Sequence, residues 1–214
     1  MTDSTATTAE QTVGGFLDVL ASDAPTPGGG AVAGIVAATA GALIAMVGRL
    51  TLGKAEFADV ADRMQVLVAE GDAARSSFLT LADRDAHAFD GVMVAFKMPK
   101  ETDEQKRDRS AAIQAGYLDA ARVPMKIASE AVVLMELALE ATAKGNPAAA
   151  SDAWSGAGCA YAAVLCAMAN VEINAAMIKD EAARGVLLDE VTAVRARAEA
   201  LLREGQTAFQ LRIS

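Results

Sequence analysis

Apolar residues recur along this chain at helical spacing, and no alternating Val/Ile/Thr run bounded by turn residues marks a strand. The pattern predicts a first helix over about 10–21, then the loop "SDAPTPGGG". A second, buried helix is expected from about 29 to 52, stopped by Gly53. A long amphipathic helix follows over roughly 56–97 and ends before Pro99. After the polar turn "KMPKETDEQ", another long helix spans about 102–144 and carries Pro124 inside it, read as a kink. "KGNP" (144–147) makes a turn, with Pro147 early in a fifth helix that runs to about 180. A last helix covers about 182–210. The expectation is an all-α fold, one bundle of long antiparallel helices in a single domain over 1–214, with about 1–10 a polar tail.

Residues 31–48 are apolar except for Thr39, which is membrane-span length. Ala and Gly dominate the stretch, however, and no Trp or Tyr flanks it. Gly34, Gly41 and Gly48 recur every seven residues and line one side, where a second backbone can come close. The surrounding chain is acidic and amphipathic. The stretch therefore reads as the core helix of a protein that does not sit in a membrane.

Helical projection singles out one carboxylate. On the third helix Phe78, Ala82, Phe89, Val92 and Phe96 fall within about 40° of one line, and Asp85 falls among them as the one charged residue. Asp83, Arg84 and Asp90 lie off the stripe, and His87 points the opposite way. A carboxylate on an apolar stripe is costly unless it is paired or faces a pocket. Capping of a neighbouring helix end and acid–base work in a cleft both fit. On the fifth helix Asp152, Cys159, Ala163, Cys166, Asn170, Asn174 and Met177 share one face, while Glu172 and Lys179 lie on the other. Such asparagines either bridge helices inside the core or hydrogen-bond a planar heterocycle, since an amide donates and accepts at once.

The "PTPGGG" stretch lacks the Gly-Lys-Ser/Thr ending of a P-loop, and no strand precedes it as a dinucleotide fingerprint requires. Glycines at a helix N-terminus can bare backbone N–H groups to a ligand, or simply form a tight turn. Spacing alone favours the turn. Lys54, after the Gly53 stop, reads first as a partner for the helix dipole.

Bulk properties exclude several classes. The 214 residues are 53% hydrophobic, 4% aromatic and 22% charged, which suits close-packed helices with a sizeable core. A formal charge of −9 with no extended basic cluster argues against nucleic-acid binding. Cys159 and Cys166, two helical turns and about 10 Å apart, cannot form a disulfide. Reduced cysteines and a start without a basic, apolar leader point to the cytoplasm. With one histidine in the chain, a His-rich zinc site or a Ser–His relay has little to draw on.

Five stretches occur in one order: "FLDVLASDAPTPGGGAVAG", "LTLGK", "DAHAFDGVMVAFKMPK", "GNPAAASDAWSGA" and "NVEINAAMIKD". Together they resemble the cyclodeaminase domain of formiminotransferase-cyclodeaminase, and still more its free-standing bacterial relatives, the methenyltetrahydrofolate cyclohydrolases. The resemblance runs from about residue 14 to the C-terminus. One departure is Ala31, where the family often has Ser, so a hydroxyl role there is absent.

The resemblance implies an all-α homodimer that binds tetrahydrofolate between helices and performs one-carbon chemistry at N5 and N10. It places Asp85 at the family's acidic position and Asp152 as a second catalytic group, which could hydrogen-bond the pterin or relay protons. Pro27, Gly28, Gly29, Gly30, Lys54, Asn170 and Asn174 are implied as substrate-binding positions, with Lys54 meeting the glutamate tail. No metal and no cofactor beyond the folate substrate is implied, and no nucleic acid or membrane partner. The implied activity is the cyclohydrolase, with ammonia-releasing cyclodeaminase as the alternative. A non-catalytic helical assembly protein is the reading from a different class; in it Asp85 and the asparagines are ordinary core polar groups.

Overall fold

The computed structural model describes residues 7–214 of the chain. It contains six α-helices: α1 (Val13–Leu20), α2 (Gly29–Thr51), α3 (Ala61–Phe96), α4 (Asp103–Lys144), α5 (Ala150–Ala175) and α6 (Glu181–Ile213). Short 3₁₀ turns at Ala55–Val60 and Pro147–Ala149 lead into α3 and α5, and no strand occurs among the described residues. The all-α bundle expected from periodicity is what forms. Residues 1–6 of the expected polar tail lie outside the described region. The rest of that tail docks on α3, where the backbone N–H and hydroxyl of Thr8 both donate to Asp83 (2.8 and 2.5 Å).

Local chemistry sets the helix ends. Thr12 caps α1, Asp180 caps α6, and Thr102 with Gln105 forms a reciprocal capping box at α4. Gly53 follows α2 with φ +77, a left-handed conformation natural to glycine. Two boundaries differ from the periodicity. Phe57 departs from helical backbone, so the start expected near 56 is a 3₁₀ turn and α3 begins at Ala61. The fifth helix stops at Ala175, not near 180. There Gln114 of α4 grips the turn from both sides, donating to the Met177 carbonyl (3.2 Å) and accepting from the Lys179 N–H (2.7 Å). That exchange, together with burial of Ile178, rewards leaving the helix early.

α2 lies at the centre, packed against α3, α4 and α5. α2 and the stretch Pro147–Ala175 are each long and apolar enough to cross a membrane by length and composition. In this fold both pack inward: Ala33, Ala37, Ala40 and Ile44 of α2 join Ala157, Ala160, Val164 and Ala167 of α5 in one core. Alanines at these positions allow close axes at the cost of little side-chain entropy.

The α2–α3 contact is closer still. A Cβ placed on Gly71 would fall 2.6 Å from the Gly41 carbonyl, and one on Gly41 would fall 2.8 Å from the Gly71 carbonyl. Gly34 meets Phe78 and Ala82, and Gly48 meets Val68, in the same way. The seven-residue glycine period therefore marks a seam between two backbones. Farther along, Arg63 of α3 grips Glu140 of α4 with a bidentate contact, donating to Oε1 (3.0 Å) and Oε2 (2.6 Å). Glu140 is held well below the usual carboxylate range, at about 2, chiefly by its hydrogen bonds with Arg63.

The seam makes a direct prediction. Gly71→Ala should destabilise the fold by about 1–3 kcal/mol through overpacking against an unyielding backbone. Urea denaturation of the variant would measure it, whereas Gly158→Ala, inside α5 where an added Cβ meets nothing within 4 Å beyond its own helix, should hold stability or raise it by up to about 1 kcal/mol.

Candidate active site

Helix α2 starts without a side-chain cap of its own, because its N-cap position is Gly28. Its first N–H groups therefore need acceptors from elsewhere. Asp85 of α3 supplies one, accepting the backbone N–H of Ala31. The fit is tight: a Cβ on Gly30 would lie 2.2 Å from each carboxylate oxygen of Asp85. The carboxylate thus rests in space that any side chain at position 30 would fill.

Asp85 is partly buried, and burial pushes its carboxyl up to about 6 against the opposing pull of the Ala31 N–H. The two placements weighed from periodicity, at a helix end and at a cleft, are compatible. The carboxylate caps a neighbouring helix end, and it also lines a cleft of about 380 Å³. Thr26 and Gly28 border that cleft from the loop, Asp85 and Phe89 from α3, Tyr117 and Ala120 from α4, and Asn170 and Asn174 from α5.

The two asparagines are anchored by the backbone. Asn170 donates to the Cys166 carbonyl (2.8 Å), and its amide nitrogen lies 2.9 Å from where a Cβ on Gly29 would be. Asn174 donates to the Asn170 carbonyl (2.9 Å) and to Ala120 of α4 (3.1 Å). The three glycines thus divide their tasks. Gly28 borders the cleft, while Gly29 and Gly30 make room for Asn170 and Asp85. Pro27 faces a neighbouring cavity of about 490 Å³ on the other side of the turn, with Asp83 and His87. His87 is exposed and lies 3.4 Å from Asp90.

Two expected site residues stand elsewhere. Lys54 follows the far end of α2, more than 20 residues and therefore about 30 Å from Gly28. Its ammonium lies 5.9 Å from the Phe57 ring centre. Asp152 sits in the first turn of α5, and its separation from Asn170 along that helix is about 27 Å. A helical projection shows which face a residue occupies and discards its height along the axis. Asp152 shares a face with Asn170 yet lies at the opposite pole. That pole is a clamp: Thr51 accepts the Asn146 N–H (2.9 Å), and the Asn146 amide donates to the Leu50 carbonyl (3.1 Å).

Tyr117, like Thr26 and Phe89, is a cleft residue the sequence reading did not assign to the site. It is buried on α4 and meets Phe96 edge-on at 6.5 Å. The helical spacing of Tyr117, Ala120, Pro124 and Ala128 was the available signal. Among the described residues, no group of three or more His, Cys, Asp or Glu side chains gathers as a metal site would.

A partly buried carboxylate, a helix N-terminus and backbone-anchored amides thus line one cleft in a helical bundle, the arrangement of a candidate small-molecule site. Residues 12–193 match the family described as formiminotransferase-cyclodeaminase, and the chain belongs to that family. It is 38% identical to a methenyltetrahydrofolate cyclohydrolase from Methylorubrum extorquens, over 89% of this chain and 92% of that one. It is 34% identical to the formimidoyltransferase-cyclodeaminase of Sus scrofa, covering 92% of this chain but 35% of that longer protein. A crystal structure of formiminotetrahydrofolate cyclodeaminase from Thermotoga maritima matches with a TM-score of 0.86 at 30% identity, over 96% of this chain and 99% of that one.

The raised pKa of Asp85 has a stability consequence. Below the ordinary aspartate value of 3.8 the group is neutral in both states and costs nothing. Between 3.8 and about 6 the unfolded chain ionises first, so this group lowers stability as pH rises, and above about 6 the full cost remains. The cost is on the order of 3 kcal/mol. Asp85→Asn should therefore be at least as stable as the parent at pH 7. Denaturation midpoints measured from pH 4 to 7 should fall less steeply in the variant.

Proposed function

We propose that this chain is a methenyltetrahydrofolate cyclohydrolase, interconverting 5,10-methenyltetrahydrofolate and 10-formyltetrahydrofolate. Near-full-length identity to a free-standing enzyme of that name supports the activity. The observation that carries the mechanism is the Asp85 carboxylate, held at the cleft with a pKa of about 6.

In this reading the methenyl cation lies beside Asp85, whose negative charge favours it. Asp85 takes one proton as water attacks the methenyl carbon, giving a neutral tetrahedral adduct. The same carboxyl then returns that proton to N5 as the carbon–N5 bond breaks, with the bonding pair passing to N5. Loss of the adduct's hydroxyl proton to solvent leaves the formyl group on N10, so one proton is released overall. Asn170, Asn174 and the Gly28 backbone bind the substrate, while Gly29 and Gly30 keep the space open. Lys54 and Asp152, at the other pole, have no part in this cleft. The chemistry requires no metal or redox cofactor.

The alternative is a cyclodeaminase, in which N10 attacks a formimino carbon and ammonia leaves. The close match to the Thermotoga maritima fold favours it as the second reading. The same carboxyl would serve both reactions. We also place the protein in the cytoplasm, with Cys159 and Cys166 as free thiols.

A homodimer completes the proposal. The support is exposed apolar surface on neighbouring central helices, with Met46 and Leu50 on α2 and Leu165 on α5. Sedimentation equilibrium should give twice the chain mass, and Leu165→Arg should shift it toward monomer; a wild-type monomer would overturn this part.

For activity, decay of the near-ultraviolet absorbance of methenyltetrahydrofolate is the decisive assay. Wild type should accelerate it, with kcat/KM rising through about pH 6 and levelling above as free Asp85 ionises. Asp85→Asn should lower kcat by about 10²–10⁴-fold with the fold intact. No acceleration by wild type would sink the cyclohydrolase reading; ammonia release from formiminotetrahydrofolate would establish the alternative.

A further inference from the structure

Pro124 lies buried in the middle of α4, and the helix runs through it from Asp103 to Lys144. Its ring nitrogen carries no hydrogen, so the carbonyl of Ala120 loses the donor that a helix normally supplies four residues later. Asn174 of α5 donates to that carbonyl at 3.1 Å. The same amide nitrogen also donates to the carbonyl of Asn170 at 2.9 Å.

A side-chain amide nitrogen has two N–H groups, and here each faces a backbone carbonyl. Flipping the amide would set its oxygen against those two carbonyl oxygens, so the orientation has one solution. Asn174 borders the cleft, as does Ala120. With its nitrogen committed to the backbone, the hydrogen-bonding capacity Asn174 retains for a ligand is that of Oδ1, which only accepts.

We propose that Pro124 is a positioning residue: by withholding one backbone N–H it makes Asn174 an acceptor-only contact that selects a ligand with a ring N–H or amino donor. This rests on the folate reading above, because the donor edge of a pterin ring is such a group. Restoring an N–H at position 124 gives Ala120 its own helical donor. Asn174 then loses one of the two carbonyls that fix it, and its amide is free to turn. The contact binds substrate and transition state alike, so its loss appears in KM and not in kcat.

The test compares wild type, Pro124→Ala, Asn174→Ala and the double variant. Calorimetric Kd for tetrahydrofolate, the KM and kcat for methenyltetrahydrofolate, and the melting temperature are measured for each. Pro124→Ala should weaken Kd and raise KM about five-fold, the worth of one neutral hydrogen bond, with kcat unchanged. Its melting temperature should hold or rise, since an interior proline costs a helix stability. In the Asn174→Ala background the same substitution should have no further effect on Kd, because the two residues act as one unit. A Kd change under two-fold overturns the inference. So does an equal loss in the Asn174→Ala background, or a loss that comes with a lower melting temperature, since either assigns Pro124 a merely structural role. Wild type that neither binds tetrahydrofolate nor consumes the substrate overturns the folate reading itself, whatever the variants do.

Discussion

The carboxylate of Asp85 occupies the space that a side chain at position 30 would take, and much of the molecule is arranged so that it can. For α3 to deliver a carboxylate to the first turn of α2, the two helices must approach to backbone contact. Gly34, Gly41 and Gly48 on α2, with Gly71 on α3, permit that approach along the whole seam. Each glycine gives up helix propensity, roughly 1 kcal/mol relative to alanine. The return is a register that sets Asp85 level with the bared N–H of Ala31.

That placement also explains the chemistry available. Positive charge from a helix N-terminus and a direct N–H favour an ionised carboxylate, while burial disfavours it. Burial dominates at Asp85, which leaves the group near 6, able to hold or release a proton close to neutrality. Opposite it, each asparagine is tied to the carbonyl four residues before it, Asn170 to Cys166 and Asn174 to Asn170. Amides fixed by backbone need little reorganisation when a ligand arrives. The cleft therefore joins one adjustable group to several rigid ones.

The opposite pole of the bundle ties helix ends together. Thr51, Leu50 and Asn146 lock the end of α2 to the turn between α4 and α5, and Arg212 of α6 donates to the Gly145 carbonyl from the side. The "LTLGK" and "GNPAAASDAWSGA" stretches therefore contain residues that build this clamp. Their Lys54 and Asp152 belong to that region and not to the cleft. Resemblance to a family marks positions without saying which pole they occupy, and only the height along each helix separates the two.

Much of the architecture was legible beforehand. Long helical periods, the glycine period on α2 and the turn residues at 25–30, 53 and 145–147 led to an all-α bundle with α2 at its centre. Periodicity also isolated Asp85, because a charge among Phe78, Phe89 and Val92 conflicts with its neighbours, and such conflict is visible in one dimension. The early end of α5 was not legible, since Gln114, which holds that turn, lies more than 60 residues away. Nor was the link from Pro124 to Asn174, which sequence alone reads as a kink and a polar face. Sequence by itself determined which residues line each helical face, because a helix repeats by local geometry. Tertiary packing decided which faces meet and at what height, because helix register depends on contacts between residues far apart in the chain. Hence Asp85, Asn170 and Asn174 share a cleft while Lys54 and Asp152 stand about 30 Å away.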